Sequence, residues 1–222
     1  MLPNSDNITK EAELQRHMFD VAKESYSTNE YNQIYRERGM SEFEECCFRR
    51  FLALIVPHPT ILDVGCGSGV PYDKYISPMC KKLIGIDISP KQIERARCNV
   101  PNAEFICANI LDVDITCTYD GILMLYSLFH IHRSLHKQVL RILFKCLADS
   151  GSILMTIRKN SSRNGVKYLE DFCGKPMYWS HFDYGTFCSM AEDVGFSVEY
   201  LGDEINFGSN ESHCWILLAK QH

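Results

Sequence analysis

No apolar run in this chain approaches the ~18 residues of a membrane span. Its first residues, Met1-Leu-Pro-Asn-Ser-Asp-Asn7, lack the basic and apolar regions of a secretory signal. Those two absences predict a soluble, intracellular, cytoplasmic protein. Nor is there a surplus of positive charge: 23 Lys and Arg against 28 Asp and Glu give a net charge of −5, which argues against a general nucleic-acid binder. No C-x-x-C pair occurs among the 11 cysteines, an odd number at irregular spacing, so neither a metal cluster nor a disulfide framework is indicated. Several thiols fall in apolar stretches such as Phe105-Ile-Cys107 and Phe187-Cys188 and are expected to be reduced and structural. Without internal repeats or low-complexity tracts, 222 residues suit one domain with an appendage.

What the chain does have is Thr60-Ile-Leu-Asp-Val-Gly-Cys-Gly-Ser-Gly-Val70, a short apolar strand running into a glycine-rich turn. Glycines at 65, 67 and 69 allow positive φ and leave bare peptide against which a nucleotide can lie. The third glycine follows two residues after the second, where the dinucleotide fingerprint leaves three, and Asp63 precedes the first. A second buried-strand pattern, Lys82-Leu-Ile-Gly-Ile-Asp-Ile-Ser89, ends in Asp87, placed to accept two ribose hydroxyls from the tip of the next parallel strand.

Asp63-x-Gly-x-Gly-x-Gly69 followed by Gly85-Ile-Asp87 resembles the class I S-adenosylmethionine-dependent methyltransferases, over roughly residues 40 to 220. The resemblance implies an α/β fold: a Rossmann-like, doubly wound, mostly parallel seven-stranded sheet with helices on both faces and an antiparallel last strand. It implies S-adenosyl-L-methionine as cofactor, S-adenosyl-L-homocysteine as product, and methyl transfer to an oxygen, nitrogen or sulfur of a small molecule. Asp63, Gly65 and Gly67 then shape the methionine end, Asp87 holds the ribose, and Asn109 with the neighbouring backbone holds the adenine, with Cys66, Gly69, Ile88, Ile110 and Tyr126 also at the cofactor. An aspartate usually stands where this chain has Asn109; its amide carbonyl can accept the same adenine hydrogen bond. Asp112 is the alternative.

Taken in order, residues 8–25 place Leu14, Met18 and Val21 or Ala22 at helical spacing. Residues 1–56 are expected to form an N-terminal helical lid or cap, with Tyr26, Tyr31 and Tyr35 as candidates for the substrate wall. Residues 57–222 form the cofactor-binding domain. Ser41-x-x-Glu44 reads as a capping box opening a helix with Phe48, Phe51, Leu52 and Ile55 on one face. Val70–Ile76 suits the first turns of a helix. Ser89-Pro90-Lys-Gln92 combines an N-cap serine with a proline at the first helical position.

Further strands are expected at Ala103–Cys107, Tyr119–Tyr126 and Ser152–Ile157. Ser134 caps a helix with a buried stripe of Leu135, Val139, Ile142, Leu143, Cys146 and Leu147. This alternation implies right-handed βαβ units. An aromatic excursion at about 158–180, including Tyr178 and Trp179, reads as an inserted loop serving as pocket wall or lid. A helix ending at Gly195 and strands at Phe196–Leu201 and His213–Ala219 close the chain.

Methyl transfer from a sulfonium needs in-line positioning and exclusion of water more than a nucleophile. A base can take the proton of the acceptor, and His130 is the catalytic candidate. It stands in Ser127-Leu-Phe-His-Ile131, which resembles the stretch after the fourth strand in small-molecule methyltransferases. Phe129 and Arg133 beside it, with Tyr31, Tyr35, Tyr178 and Trp179, are the substrate-side candidates. The spacing of His130, His132 and His136 does not put three imidazoles on one face, so no metal is expected. Amino-methylating N-P-P-Y or D-P-P-Y stretches are missing. The expected partner is a small-molecule acceptor, with no membrane or nucleic acid, for a monomer or homodimer. A tRNA or protein acceptor, or a cofactor-binding subunit without turnover, is the alternative.

Overall fold

The computed structural model describes residues 5–29, 33, 39–113, 117–158, 165–205 and 212–221. Seven strands form the main sheet: β1 (Thr60–Val64), β2 (Lys82–Asp87), β3 (Glu104–Cys107), β4 (Tyr119–Met124), β5 (Leu147–Arg158), β8 (Phe196–Ile205) and β9 (Ser212–Lys220). Their order is β3-β2-β1-β4-β5-β9-β8. The first five run parallel, and β9 lies antiparallel between β5 and β8. The Rossmann-like expectation holds, including the reversed last strand. Strand order switches direction between β1 and β4, and a crevice opens there at their carboxyl ends, as it does in open α/β sheets.

Both faces of the sheet are covered, because alternate strand residues enter two separate cores. Leu62, Ile84, Ile122, Ile153 and Ile216 pack under α5 (His136–Cys146) and α6 (Tyr184–Val194). Ile61, Leu83, Leu123, Leu154 and Trp215 pack against Phe48 and Phe51 of α2 (Glu42–Leu52). Ser41 caps α2 through the expected reciprocal pair: the Glu44 amide donates to Ser41 Oγ at 3.1 Å, and the Ser41 amide to Glu44 Oε2 at 2.8 Å. The N-terminal segment is therefore of two kinds. α1 (Ser5–Ser25) lies over the crevice side, whereas α2 belongs to the core of the sheet.

Several local expectations need correction. Helix α3 (Tyr72–Ile76) has only five residues before a 3-10 turn at Ser77–Met79. Strand β5 starts at Leu147 and not at Ser152, directly after α5. Ser134 does not cap α5: it sits in a 3-10 turn (Arg133–Leu135), where its hydroxyl meets His132 Nδ1 at 2.9 Å. The buried stripe of α5 is His136, Val139, Leu140, Leu143 and Cys146, while Leu135 and Ile142 are only partly buried. Cys107 is exposed despite its apolar neighbours, because β3 is an edge strand. Leu125 and Tyr126 follow β4 and are outside it.

The excursion after β5 is not a plain loop. β6 (Gly165–Phe172) and β7 (Lys175–His181) form an antiparallel hairpin, a separate two-stranded sheet. Its turn has Cys173 at φ 54° and Gly174 at φ 77°, the mirror-image backbone that matches strand twist in hairpins. The Gly174 amide also donates to Asp171 Oδ1 at 2.8 Å. Helix α1 packs on β7, with Ser25 Oγ donating to the Pro176 carbonyl at 2.6 Å and His17 edge-on to Tyr178.

Candidate active site

A cleft enclosing about 650 Å³, part of it open to solvent, lies at the carboxyl ends of β1, β2 and β4. Its floor is the glycine turn, where Gly65, Gly67 and Gly69 have φ of 84°, 57° and 75°. A Cβ on Gly65 would stand 2.1 Å from Ser127 Oγ, so only glycine fits there. Asp87 fastens the turn: the Gly67 amide donates to its Oδ2 at 3.0 Å and the Ser89 amide to its Oδ1 at 2.8 Å. Ile86, Ile88 and Ile110 supply apolar walls, and Asn109 also lines the cleft. The Asn109 carbonyl oxygen accepts from the Leu111 amide at 3.1 Å, an Asx turn that fixes the side chain.

Tyr126 closes the β1 and β4 end with φ at 53°, a left-handed conformation that a non-glycine residue holds only when its surroundings impose it. Here they do. Its amide donates to Thr156 Oγ1 at 2.6 Å, and its hydroxyl donates to Glu204 Oε2 at 2.9 Å. Glu204 Oε1 in turn accepts from Ser41 Oγ at 2.8 Å, tying the residue to the cap of α2.

His130 stands at the far end, in a 3-10 turn at Leu128–His130 after β4. Its Nδ1 lies 3.3 Å from the Tyr178 carbonyl, a partner that can only accept and so favours the tautomer protonated at Nδ1; the Tyr26 hydroxyl is a second neighbour of that nitrogen at 3.1 Å. Nε2 is met by the hydroxyl of Tyr26, which donates to it. Phe19, Ala22 and Tyr26 roof the cleft from α1 and the turn after it.

Not every sequence candidate lines this space. Gly65, Gly67, Asp87, Ile88, Asn109, Ile110, Tyr126 and His130 do; Asp63, Cys66 and Gly69 do not. Cys66 points the other way, into an apolar cluster with Ile93, Ala96 and Phe105. Gly69 is small because a Cβ would press on Val100 at 3.0 Å. Asp63 is buried at the end of β1.

On the substrate side, Phe129 is buried against His130 and His213. Arg133 stacks over Phe182 at 5.3 Å and is drawn away from the cleft. Trp179 approaches His130 from behind at 6.2 Å and packs on Phe172, while Tyr178 offers His130 its backbone carbonyl. Tyr31 and Tyr35 lie outside the described residues. Phe19 lines the cleft although no sequence signal singled it out, whereas Ser127 opens the stretch after the fourth strand and Gln92 was marked only as part of a helix start.

The three neighbouring histidines have separate tasks. His132 Nδ1 bonds to Ser134, and His136 Nε2 donates to the Ile131 carbonyl at 2.9 Å. Burial pushes the His136 imidazole down to about 4, outweighing that hydrogen bond. Among the described residues, no three His, Cys, Asp or Glu side chains gather as metal ligands. All 11 cysteines are free, and burial pushes the Cys47 and Cys80 thiols up to about 12. No described helix is long and apolar enough to cross a membrane.

The fold, the glycine turn and the acid at the tip of β2 agree with the resemblance to class I S-adenosylmethionine-dependent methyltransferases. Residues 61–151 match the methyltransferase-domain family. The chain is 28% identical over 164 residues to a protein of Invertebrate iridescent virus 6 named as a methyltransferase, covering 71% of this chain and 60% of the viral one. The chain spans between 56% and 60% of the length of the curated relatives it matches. Among solved structures, a DhpI complex with S-adenosylhomocysteine superposes with a TM-score of 0.71 at 12% identity, covering 91% of this chain and 97% of that one. The N-methyltransferase NodS of Bradyrhizobium japonicum, also with S-adenosylhomocysteine, gives 0.69 at 15% identity, covering 92% and 99%.

S-adenosylmethionine fits the residues present. Bare peptide at Gly65 and Gly67 suits the aminoacyl end, the Asp87 carboxylate suits vicinal hydroxyls, and the isoleucine walls suit a planar base.

Proposed function

We propose that this chain transfers a methyl group from S-adenosylmethionine to an oxygen, nitrogen or sulfur atom of a small molecule, with His130 as the base. The observation that carries the reading is the placement of His130: it lines the cleft, with Nδ1 3.3 Å from the Tyr178 carbonyl and Nε2 against the Tyr26 hydroxyl. Bound in the cleft, the cofactor supplies a methyl carbon activated by its sulfonium. Asp87 and the Asn109 segment hold its nucleoside, and the glycine turn holds the opposite end. Nε2 of His130 accepts the proton of an acceptor hydroxyl, thiol or protonated amine. A positioned base of this kind is worth about 10²- to 10⁴-fold in rate. Phe19, Ala22 and Ile131 keep the space apolar and exclude water.

The roof that Phe19, Ala22 and Tyr26 place over the cleft favours a small acceptor. A cofactor-binding subunit without turnover is the second reading, favoured by the Tyr26 phenol on Nε2, where an acceptor would sit.

The test combines binding and turnover. S-adenosylhomocysteine at ~100 times its dissociation constant is expected to stabilise the protein by about 2.7 kcal/mol, NADH not at all, and Asp87→Ala to abolish the effect. Methyl transfer to a panel of small hydroxyl, amine and thiol acceptors then follows. His130→Ala is expected to cut kcat by about 10²-fold or more while S-adenosylhomocysteine still raises Tm. Stabilisation without transfer to any acceptor favours the second reading; stabilisation by NADH alone removes both.

A further inference from the structure

We propose that Gln92 couples occupancy of the nucleoside site to closure of α1 over the cleft. This rests on the cofactor reading above. Gln92 is 1% exposed, yet its side chain reaches the cleft from the first turn of α4 (Pro90–Asn99), beside Asp87 and Ile88. Its amide is engaged on one side only. Nε2 donates to the Tyr26 carbonyl, while Oε1 has no hydrogen-bond partner. Buried amide carbonyls are almost always paired, and turning this one over would set two acceptors, Oε1 and the Tyr26 carbonyl, against each other. The bare oxygen thus awaits a donor from the cleft.

The donors that the nucleoside end of the cofactor offers there are its ribose hydroxyls and its adenine amino group, and one of them completes the amide. Occupancy then fixes the Gln92 side chain with its NH2 on Tyr26, and Tyr26 is the residue whose phenol rests on His130. Two neighbouring contacts strengthen the same joint: Ser27 Oγ lies 2.9 Å from Ser89 Oγ, and Arg95 donates to Asn29 Oδ1 at 2.7 Å. Gln92 is in this account a positioning residue. It touches the cofactor with one end and, through the other, sets the roof and the partner of the base.

Amide hydrogen exchange of the full chain tests the coupling, with and without saturating S-adenosylhomocysteine, alongside calorimetric titration of the same samples. In the wild-type protein the ligand is expected to slow exchange across residues 18–26. Gln92→Glu keeps an acceptor for the nucleoside but loses the donor to Tyr26, and Gln92→Met loses both. At ligand saturation, both variants are expected to lose about fivefold of that protection, the equivalent of one net hydrogen bond. Equal protection in all three proteins overturns the coupling and leaves the cofactor reading standing. Absence of any titration heat and protection in the wild-type protein would overturn the cofactor reading itself, and the coupling with it.

Discussion

Tyr26 and His130 stand 104 residues apart in the chain, yet the phenol of one donates to Nε2 of the other. Their rings meet edge-on, with centroids 4.8 Å apart. Tyr26 follows the last turn of α1, so this single contact ties the roof of the cleft to the residue proposed as its base. Phe172 of the hairpin packs on the other edge of Tyr26 at 6.3 Å.

Removing the hydroxyl alone separates hydrogen bonding from packing. Tyr26→Phe keeps both ring contacts and loses a bond worth about 1 kcal/mol net. S-adenosylhomocysteine is accordingly expected to leave about fivefold faster, read by stopped-flow displacement. Tyr26→Ala, which also loses the ring contacts, is expected to release it faster still. An unchanged off-rate in Tyr26→Phe would mean that the roof is held by packing alone.

Gly65 makes a sharper case. With φ at 84° and Ser127 Oγ 2.1 Å from a would-be Cβ, alanine there meets both backbone strain and a collision. The left-handed conformation costs about 1–2 kcal/mol for a residue with a side chain, and the collision forces Ser127 out of the cleft wall. Gly65→Ala is expected to lower Tm and to weaken S-adenosylhomocysteine binding more than about tenfold. Ser127→Gly in the same chain is expected to restore part of the affinity, because it removes the collision and leaves the strain. No restoration in the double variant would place the whole cost in the backbone.

How far the sequence disclosed this site follows from the range of the interactions involved. The glycine turn, Asp87 and the caps at Ser41 and Ser89 were legible because each is set by residues within three or four positions. His130 was legible through its place after β4, but its partners were not, since Tyr26 and Tyr178 reach it from distant segments. Cys66 was misplaced for a similar reason: alternation along the turn sends its side chain toward α4, which sequence spacing alone does not reveal. The hairpin at β6 and β7 was missed because Cys173-Gly174 is not one of the strong Asn-Gly or Asp-Gly turn pairs, although the glycine at the second position was the available signal.

His136 predicts how stability depends on pH. It is 2% exposed, and burial, with smaller contributions from His132 and His181, lowers its imidazole from 6.5 to about 4. A group whose folded value is depressed binds fewer protons in the folded state than in the unfolded one. Stability must then fall as pH drops through the interval between the two values. Above about pH 6.5 both states hold the ring neutral and the contribution is full; by about pH 4 up to roughly 3 kcal/mol has gone. His136→Gln removes the titrating group and is expected to flatten this part of the profile, at the cost of some stability at pH 7, where the bond to the Ile131 carbonyl is disturbed. Urea unfolding at pH 7.0 and 4.5 reads both effects. Equal pH dependence in the two proteins would show that another group drives the acid loss, whereas a flatter curve in the variant assigns it to the ring buried behind the His130 turn.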